Sequence, residues 1–346
     1  MAKLTLAIDA MGGDRGPSIV VAALIRALQS FPEVDFILTG DEPRLKALLN
    51  REAKHLKATD RARIRIHHTT QIVQMDDKPS QCLRHKTDSS MRIAIDLIAE
   101  GDAQACVSAG NTGALMAMAY LRLKVLPGVL RPALIAPIPN EQGGQSLLLD
   151  LGANPQCDAD TLFQFGVMGS VIAQELTGIS EPRIALLNMG TEEIKGPDVV
   201  KQAALLLANS KHVHYQGFIE GSDLFAGKAD VIVCDGFTGN IALKSCEGMA
   251  RMVYDHLKRS LKSHWLSRAL VWLLYRRQRK AWSWLNPDQY NGASLIGLRG
   301  VVVKSHGNAS ANAFYSAIEH AIAEAESDLP KRIHDRVEQV LSEQHT

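Results

Sequence analysis

Six times along this chain, an apolar, strand-like run ends in a short loop of Gly, Asn, Ser and Asp and passes at once into a helix-like run. The six begin with Leu4–Asp9, Ala105–Ser108, Leu147–Leu151, Ile184–Leu187, Val231–Cys234 and Val301–Val303. Further strand-like runs are Asp35–Thr39, Arg63–His68, Ala133–Ile138 and His212–Phe218. Helix-like runs lie between them, among them Ser18–Leu28, Met91–Glu100, Ala114–Leu121, Thr161–Glu175, Pro197–Asn209 and Ala309–Glu326. Most of the strand-like runs are continuously apolar, as strands buried on both faces are. The alternation predicts an α/β fold, with a largely parallel sheet and helices on both faces. In such a sheet the loops are expected together at one rim, at the carboxyl ends of the strands, where ligands bind. Free N–H groups opening each helix make that rim an anion site.

The 346 residues are 46% hydrophobic and 22% charged, with a net charge of +1, which argues against nucleic acid as the main partner. No Pro/Ser-rich linker and no internal repeat divides the chain, so residues 1–346 read as a single α/β catalytic unit, with a helical excursion over about 249–285. The five cysteines are scattered and form no C-x-x-C pair, which predicts a reducing compartment without disulfides. The chain enters its first strand directly, so no signal peptide is expected. No apolar stretch reaches the roughly 20 residues that a membrane span needs. These readings predict a cytoplasmic protein.

The loops carry the chemistry. Asp9-Ala-Met-Gly12-Gly13-Asp14 places paired glycines where a backbone can approach a ligand. It matches neither the dinucleotide nor the nucleoside-triphosphate fingerprint. The alternative is a tight turn whose Asp14 or Ser18 caps the next helix. Ser108-Ala-Gly-Asn111-Thr112-Gly113 supplies side-chain and backbone donors just before a helix, and Asp235-Gly-Phe-Thr238-Gly-Asn240 repeats that chemistry. For Asn111 or Thr112 alone, helix capping is the plainer alternative. Asn188-Met-Gly-Thr-Glu-Glu-Ile-Lys195-Gly196 adds a lysine able to face phosphate as a point charge, or simply a solvated one. His306 in Lys304-Ser-His-Gly307 is the histidine expected at the rim, and Asp150-Leu-Gly-Ala-Asn154 adds a carboxylate and an amide. There is no G-x-S-x-G elbow and no supported Cys–His pattern, which argues against an acyl-enzyme. No cofactor and no metal is expected.

Taken together and in order, these six loops, with Gly297-Leu-Arg-Gly300, resemble the bacterial phosphate acyltransferases, the acyl-acyl carrier protein:phosphate transacylases of phospholipid synthesis. The likeness runs from Leu4 to about Ala323. It implies a Rossmann-like fold shaped like those of phosphotransacetylases and isopropylmalate dehydrogenases. It also implies a homodimer, peripherally bound to the inner face of the cell membrane. The implied reaction joins a long-chain acyl group from acyl carrier protein to inorganic phosphate, and the acyl phosphate serves a downstream glycerol-3-phosphate acyltransferase. Phosphate is an oxyanion near neutral pH and a thiol leaves readily. Positioning and charge stabilisation therefore suffice. On this reading Lys195, Asn240 and His306 are catalytic. Asp9, Gly12, Gly13, Asp14, Ser108, Asn111, Thr112, Gly113, Asn154, Asp235 and Thr238 line the substrate site. Asn111, Thr112, Gly113, Lys195 and Asn240 would hold phosphate, and Asp9, Asp14, Asp150 and Asp235 would orient donors. A short-acyl phosphotransacetylase and an isopropylmalate dehydrogenase-type oxidoreductase are the alternatives.

The excursion is the second unusual feature. All four tryptophans and eight basic residues fall between Lys258 and Trp284, with no Asp or Glu between Asp255 and Asp288. Its apolar run Ala269–Leu274 is too short to span a bilayer. Trp265, Arg268, Trp272, Arg276, Arg277 and Trp282 read as contacts with an anionic membrane surface or with the acidic carrier protein. A helical pair at a dimer interface is the alternative. If lipid is the partner, the purified protein will cosediment with anionic vesicles at low salt and come off as salt is raised. Indifference to such vesicles at low salt would remove the membrane reading.

Overall fold

The computed structural model describes residues 3–54, 56–262 and 291–344. Its strands are β1 (Thr5–Asp9), β2 (Asp35–Gly40), β3 (Ile64–His68), β4 (Ala105–Ser108), β5 (Ala133–Pro139), β6 (Gln145–Leu149), β7 (Arg183–Leu187), β8 (His214–Ile219), β9 (Val231–Val233), β10 (Ala293–Ile296) and β11 (Val301–Lys304). They form one sheet in the order β3-β2-β1-β4-β11-β10-β5-β6-β9-β7-β8. Its helices are α1 (Pro17–Ser30), α2 (Glu42–Glu52), α3 (Ala58–Arg61), α4 (Pro79–His85), α5 (Ser90–Ala99), α6 (Thr112–Leu123), α7 (Ala159–Thr177), α8 (Asp198–Asn209), α9 (Gly236–Lys262), α10 (Ala311–Glu326) and α11 (Leu329–Gln344).

Seven strand pairings are parallel and three antiparallel, so the expected α/β class holds. Alternate residues of each strand enter cores on opposite faces. Ala7, Cys106, Leu148 and Ile232 pack with α5, α6 and the inner side of α9. Leu6, Ile8, Val107 and Val303 pack with α1 and α10 on the other face. Leu147, Leu149, Val231 and Val233 pack there with α7, α8 and α11. Burial on both faces is why these strands read as unbroken apolar runs.

The antiparallel pairings correct the expectation of one rim. β10 runs against both of its neighbours, β11 and β5. β5 then pairs antiparallel with β6 through a hairpin, with Ile135 opposite Leu149 and Pro139 opposite Gln145. Every strand beyond β6 follows its direction. The carboxyl ends of β1, β4 and β11 therefore lie at one rim, and those of β6, β7 and β9 at the opposite rim. α9 starts at the second rim and runs back across the sheet towards the first. It continues to Lys262, within the expected excursion. The remainder of the excursion, including Trp265, Arg268, Trp272, Arg276, Arg277 and Trp282, lies outside the described residues.

α7 packs tightly between the sheet and α8, with every residue from Thr161 to Ala173 buried. Two glycines permit this. A Cβ on Gly169 would stand 2.6 Å from Val231 Cγ1, and one on Gly166 would stand 2.8 Å from Leu207 Cδ2. Gly169→Val is expected to overpack this layer and cost about 1–3 kcal/mol, read as a lower urea midpoint with an unchanged slope.

Candidate active site

At the first rim, the loops after β1, β4 and β11 interlock. The Asp9 carboxylate is buried and accepts from Met11 N at 3.3 Å, Gly12 N at 3.1 Å and Ser108 Oγ at 2.6 Å. Ser108 Oγ accepts in turn from Gly110 N at 3.1 Å. Burial raises the Asp9 pKa, with the bonds from Ser108, Ser90, Met11 and Gly12 acting against it. A Cβ on Gly12 would lie 2.5 Å from Asp9 Oδ2, and one on Gly13, whose φ is +88°, would lie 2.9 Å from both Ala109 Cβ and Gly307 O. Asp14 N donates to Gly307 O at 2.8 Å. The paired glycines thus serve loop against loop.

Asn111 caps α6, accepting from Ala114 N at 3.0 Å, and its amide donates to Met75 O at 2.8 Å and Asp77 O at 3.0 Å. Its side chain is therefore spent on structure, the plainer of the two readings. The N–H groups of Thr112 and Gly113, which open α6, have no intrahelical acceptor. His306 sits half-exposed, its Nε2 3.1 Å from Glu247 Oε1 on α9, and Lys244 Nζ lies 3.0 Å from Glu247 Oε2. Burial alone would raise the Glu247 pKa, but His306 and then Lys244 outweigh it and hold the group at about 2.

At the second rim, Asp150 plays the part Asp9 plays at the first. Fully buried, it accepts from Leu134 N at 2.9 Å, Ala153 N at 3.0 Å, Asn154 N at 2.6 Å and Asn154 Nδ2 at 2.9 Å. Burial is the main cause of its raised pKa. The Asn154 amide also donates to Pro132 O at 2.7 Å, so it braces the loop. Asp235 caps α9, accepting from Thr238 N and Thr238 Oγ1, both at 2.9 Å. Asn240 is exposed beside Gly152, with its amide unbonded among the described residues. Lys195 is half-exposed with Nζ 2.8 Å from Glu192, which raises its pKa, and Asn188 Nδ2 ties the loop by donating to Lys195 O at 3.0 Å.

The expected site residues thus fall into two groups. Asp9, Gly12, Gly13, Asp14, Ser108, Asn111, Thr112, Gly113 and His306 share the first rim. Lys195, Asn154, Asp235, Thr238 and Asn240 share the second. The phosphate set of Asn111, Thr112, Gly113, Lys195 and Asn240 spans both rims, because the β5–β6 hairpin turns half the sheet over. α9 links the rims, since Lys244 and Glu247 lie eight to eleven residues from its start, about 12–16 Å along the axis. Lys244, Glu247 and Lys304 were not singled out from sequence. The available signal was a charged residue closing the buried run Val301–Val303 and a Lys-x-x-Glu pair one turn apart on a helix that leaves a donor loop.

The Glu247 contacts carry a pH dependence. A carboxylate held below its unfolded value contributes stability that is complete above about pH 4.5 and lost as pH falls towards about 2. Glu247→Gln is expected to flatten the acid limb of stability against pH in that window, measured by denaturant titration. An unchanged limb would mean that the contact is not kept in solution.

A family model described as "Fatty acid synthesis protein" matches residues 4–332. A phosphate acyltransferase of Idiomarina loihiensis is 57% identical over 344 residues, covering 99% of this chain and 100% of that one. One from Shewanella amazonensis is 52% identical over 341 residues, covering 99% and 98%. Among solved structures, a phosphotransacetylase from Streptococcus pyogenes matches with a TM-score of 0.62 at 18% identity, over 94% of each chain, which establishes likeness of fold alone. The ordered motifs and the near full-length identity agree: the chain belongs to the phosphate acyltransferase family.

Proposed function

We propose that this chain transfers a fatty acyl group from the thioester of acyl carrier protein to inorganic phosphate. The transfer of an acyl group to phosphate is carried by one observation, the 57% identity to a phosphate acyltransferase along the whole chain. The carrier-protein donor is the finer part of the reading, and the family model's description supports it. A phosphate oxygen attacks the thioester carbonyl, an O–C bond forms, the C–S bond breaks, and the carrier leaves as a thiolate that takes up a proton from solvent. No covalent enzyme intermediate is needed. The protein must bring two anion-bearing reactants together and stabilise the carbonyl oxygen as it becomes negative.

Lys195, Asn240 and His306 are the proposed catalytic groups. Their exposure supports this, for none is spent on holding the core. The buried carboxylates Asp9 and Asp150 hold the loop amides in place. Their burial supports a positioning role, because a bare carboxylate facing phosphate would repel it. The proposed assembly is a homodimer at the inner membrane surface that passes acyl phosphate to a glycerol-3-phosphate acyltransferase. The exposed apolar side chains Phe237, Ile241, Met249, Met252 and Val253 on α9 support a macromolecular partner for that helix. Among the described residues no helix is long and apolar enough to cross a membrane, so a peripheral association is the form proposed.

Lys195→Ala and Asn240→Ala are each expected to lower acyl-phosphate formation by about 100-fold while leaving the thermal unfolding midpoint unchanged. The assay supplies long-chain acyl carrier protein and phosphate and reads free carrier thiol together with acyl phosphate. Near-normal turnover in both variants would refute their roles. If the wild-type chain releases no thiol from that donor but turns over a short-chain acyl-coenzyme A, the donor assignment fails.

A further inference from the structure

Lys304 closes β11 with its side chain turned into the protein, and the residue is only 8% exposed. A lysine so placed is ordinarily paired. Here Nζ meets the carbonyl oxygens of Ala109, at 3.5 Å, and of Ser305, and among the described residues no carboxylate reaches it. The charged groups around it are Lys244 from α9, Asp9 at the end of β1 and Asp14 in the loop beyond. His306 and Glu247, close by in the chain and on α9, are occupied with each other. Burial, then Lys244, pushes the Lys304 ammonium down to about 8, with Asp9 and Asp14 acting against them. Lys244 is paired with Glu247, so it is the buried Lys304 ammonium that is left with carbonyl oxygens alone among the described residues, which is unfavourable in a buried place. Ala109, which touches Lys304, lies in the loop that leads into α6, where the N–H groups of Thr112 and Gly113 open the helix without intrahelical acceptors. A group with several acceptor oxygens and negative charge is what a desolvated ammonium beside a helix-opening loop is suited to receive.

We propose that Lys304, with Lys244 beside it, is the cationic receptor for a tetrahedral phosphate oxyanion at the first rim. The phosphate substrate is thereby seated there, on Lys304, Lys244 and the opening N–H groups of α6, and Lys195 and Asn240 at the second rim are left to the acyl donor. This inference rests on the proposed transfer to phosphate and adds where the phosphate sits. Filling the seat places an anion against Lys304 and draws the amine fully into its protonated form, so binding takes up a proton near pH 8.

The test uses the full chain and inorganic phosphate alone as the probe. Calorimetric titration at pH 8, in two buffers of different ionisation enthalpy, should show uptake of about half a proton per site, given an amine that titrates at about 8. Lys304→Met should weaken phosphate binding at least tenfold and abolish the uptake. It should raise the phosphate KM while leaving the KM for acyl carrier protein unchanged. Lys244→Met, at a solvated helix position, should weaken phosphate severalfold and reduce the uptake. Wild-type protein that binds phosphate without proton uptake, or does not bind it at tens of millimolar, overturns the proposal. So does wild-type phosphate affinity in Lys304→Met. Should that variant not fold, the wild-type proton count and Lys244→Met decide. A wild-type chain that seats phosphate with proton uptake but forms no acyl phosphate would instead overturn the function and leave the seat standing.

Discussion

The antiparallel hydrogen bonding of β5 with β6 is the constraint on which the arrangement of this protein depends. Five residues, 140–144, connect the two strands, and a parallel crossover would need a dozen or more. The turn is closed locally: Asn140 N donates to Gly144 O at 3.0 Å and Gly144 N donates to Asn140 Oδ1 at 3.0 Å. That short connection reverses the remaining four strands of the sheet. The donor loops are consequently divided between two ends. A helix that begins at one end and passes the other becomes the natural carrier of chemistry between them, and α9 is that helix.

The two ends are built alike. In each, a carboxylate at the end of a buried strand turns its oxygens back onto the amides of the loop that follows, Asp9 at the first and Asp150 at the second. Both are desolvated, and both are supported by several directed donors rather than by a cation. Removing either carboxylate would strand buried N–H groups, which costs about 1–3 kcal/mol for each group left unpaired. These acids therefore shape the loops. Further charge at the first rim comes from elsewhere, from Lys304, Lys244, His306 and Glu247, where a helix crosses the ends of the strands.

Much of this was legible in the chain. Buried strands announced themselves as Leu6–Ile8, Val107, Leu147–Leu149 and Val301–Val303 because burial on both faces leaves no polar position to break the run. The loops announced themselves because close packing of one backbone against another admits little but glycine, as Gly12 and Gly13 show. Ala293–Ile296 escaped notice as a strand because it is short and lies beside the tryptophan-rich segment. The final helix, Leu329–Gln344, escaped because its charged outer face dilutes its apolar one. The hairpin was also written in the sequence, as two apolar runs too close together for a helix to pass between them. Placing all six donor loops at one rim overlooked it.

Local chemistry, then, settled the elements, the donor loops and the family, since each depends on residues adjacent in sequence. Which loops meet did not follow from them. Strand direction is a property of pairings between residues far apart in the chain, and one short turn can invert it for half a sheet. Nor could adjacency foretell that Lys304 would be desolvated beside Lys244, sixty residues earlier. Desolvation and the absence of a counter-ion arise only when distant segments close around a side chain, and they turn an ordinary lysine into a candidate receptor.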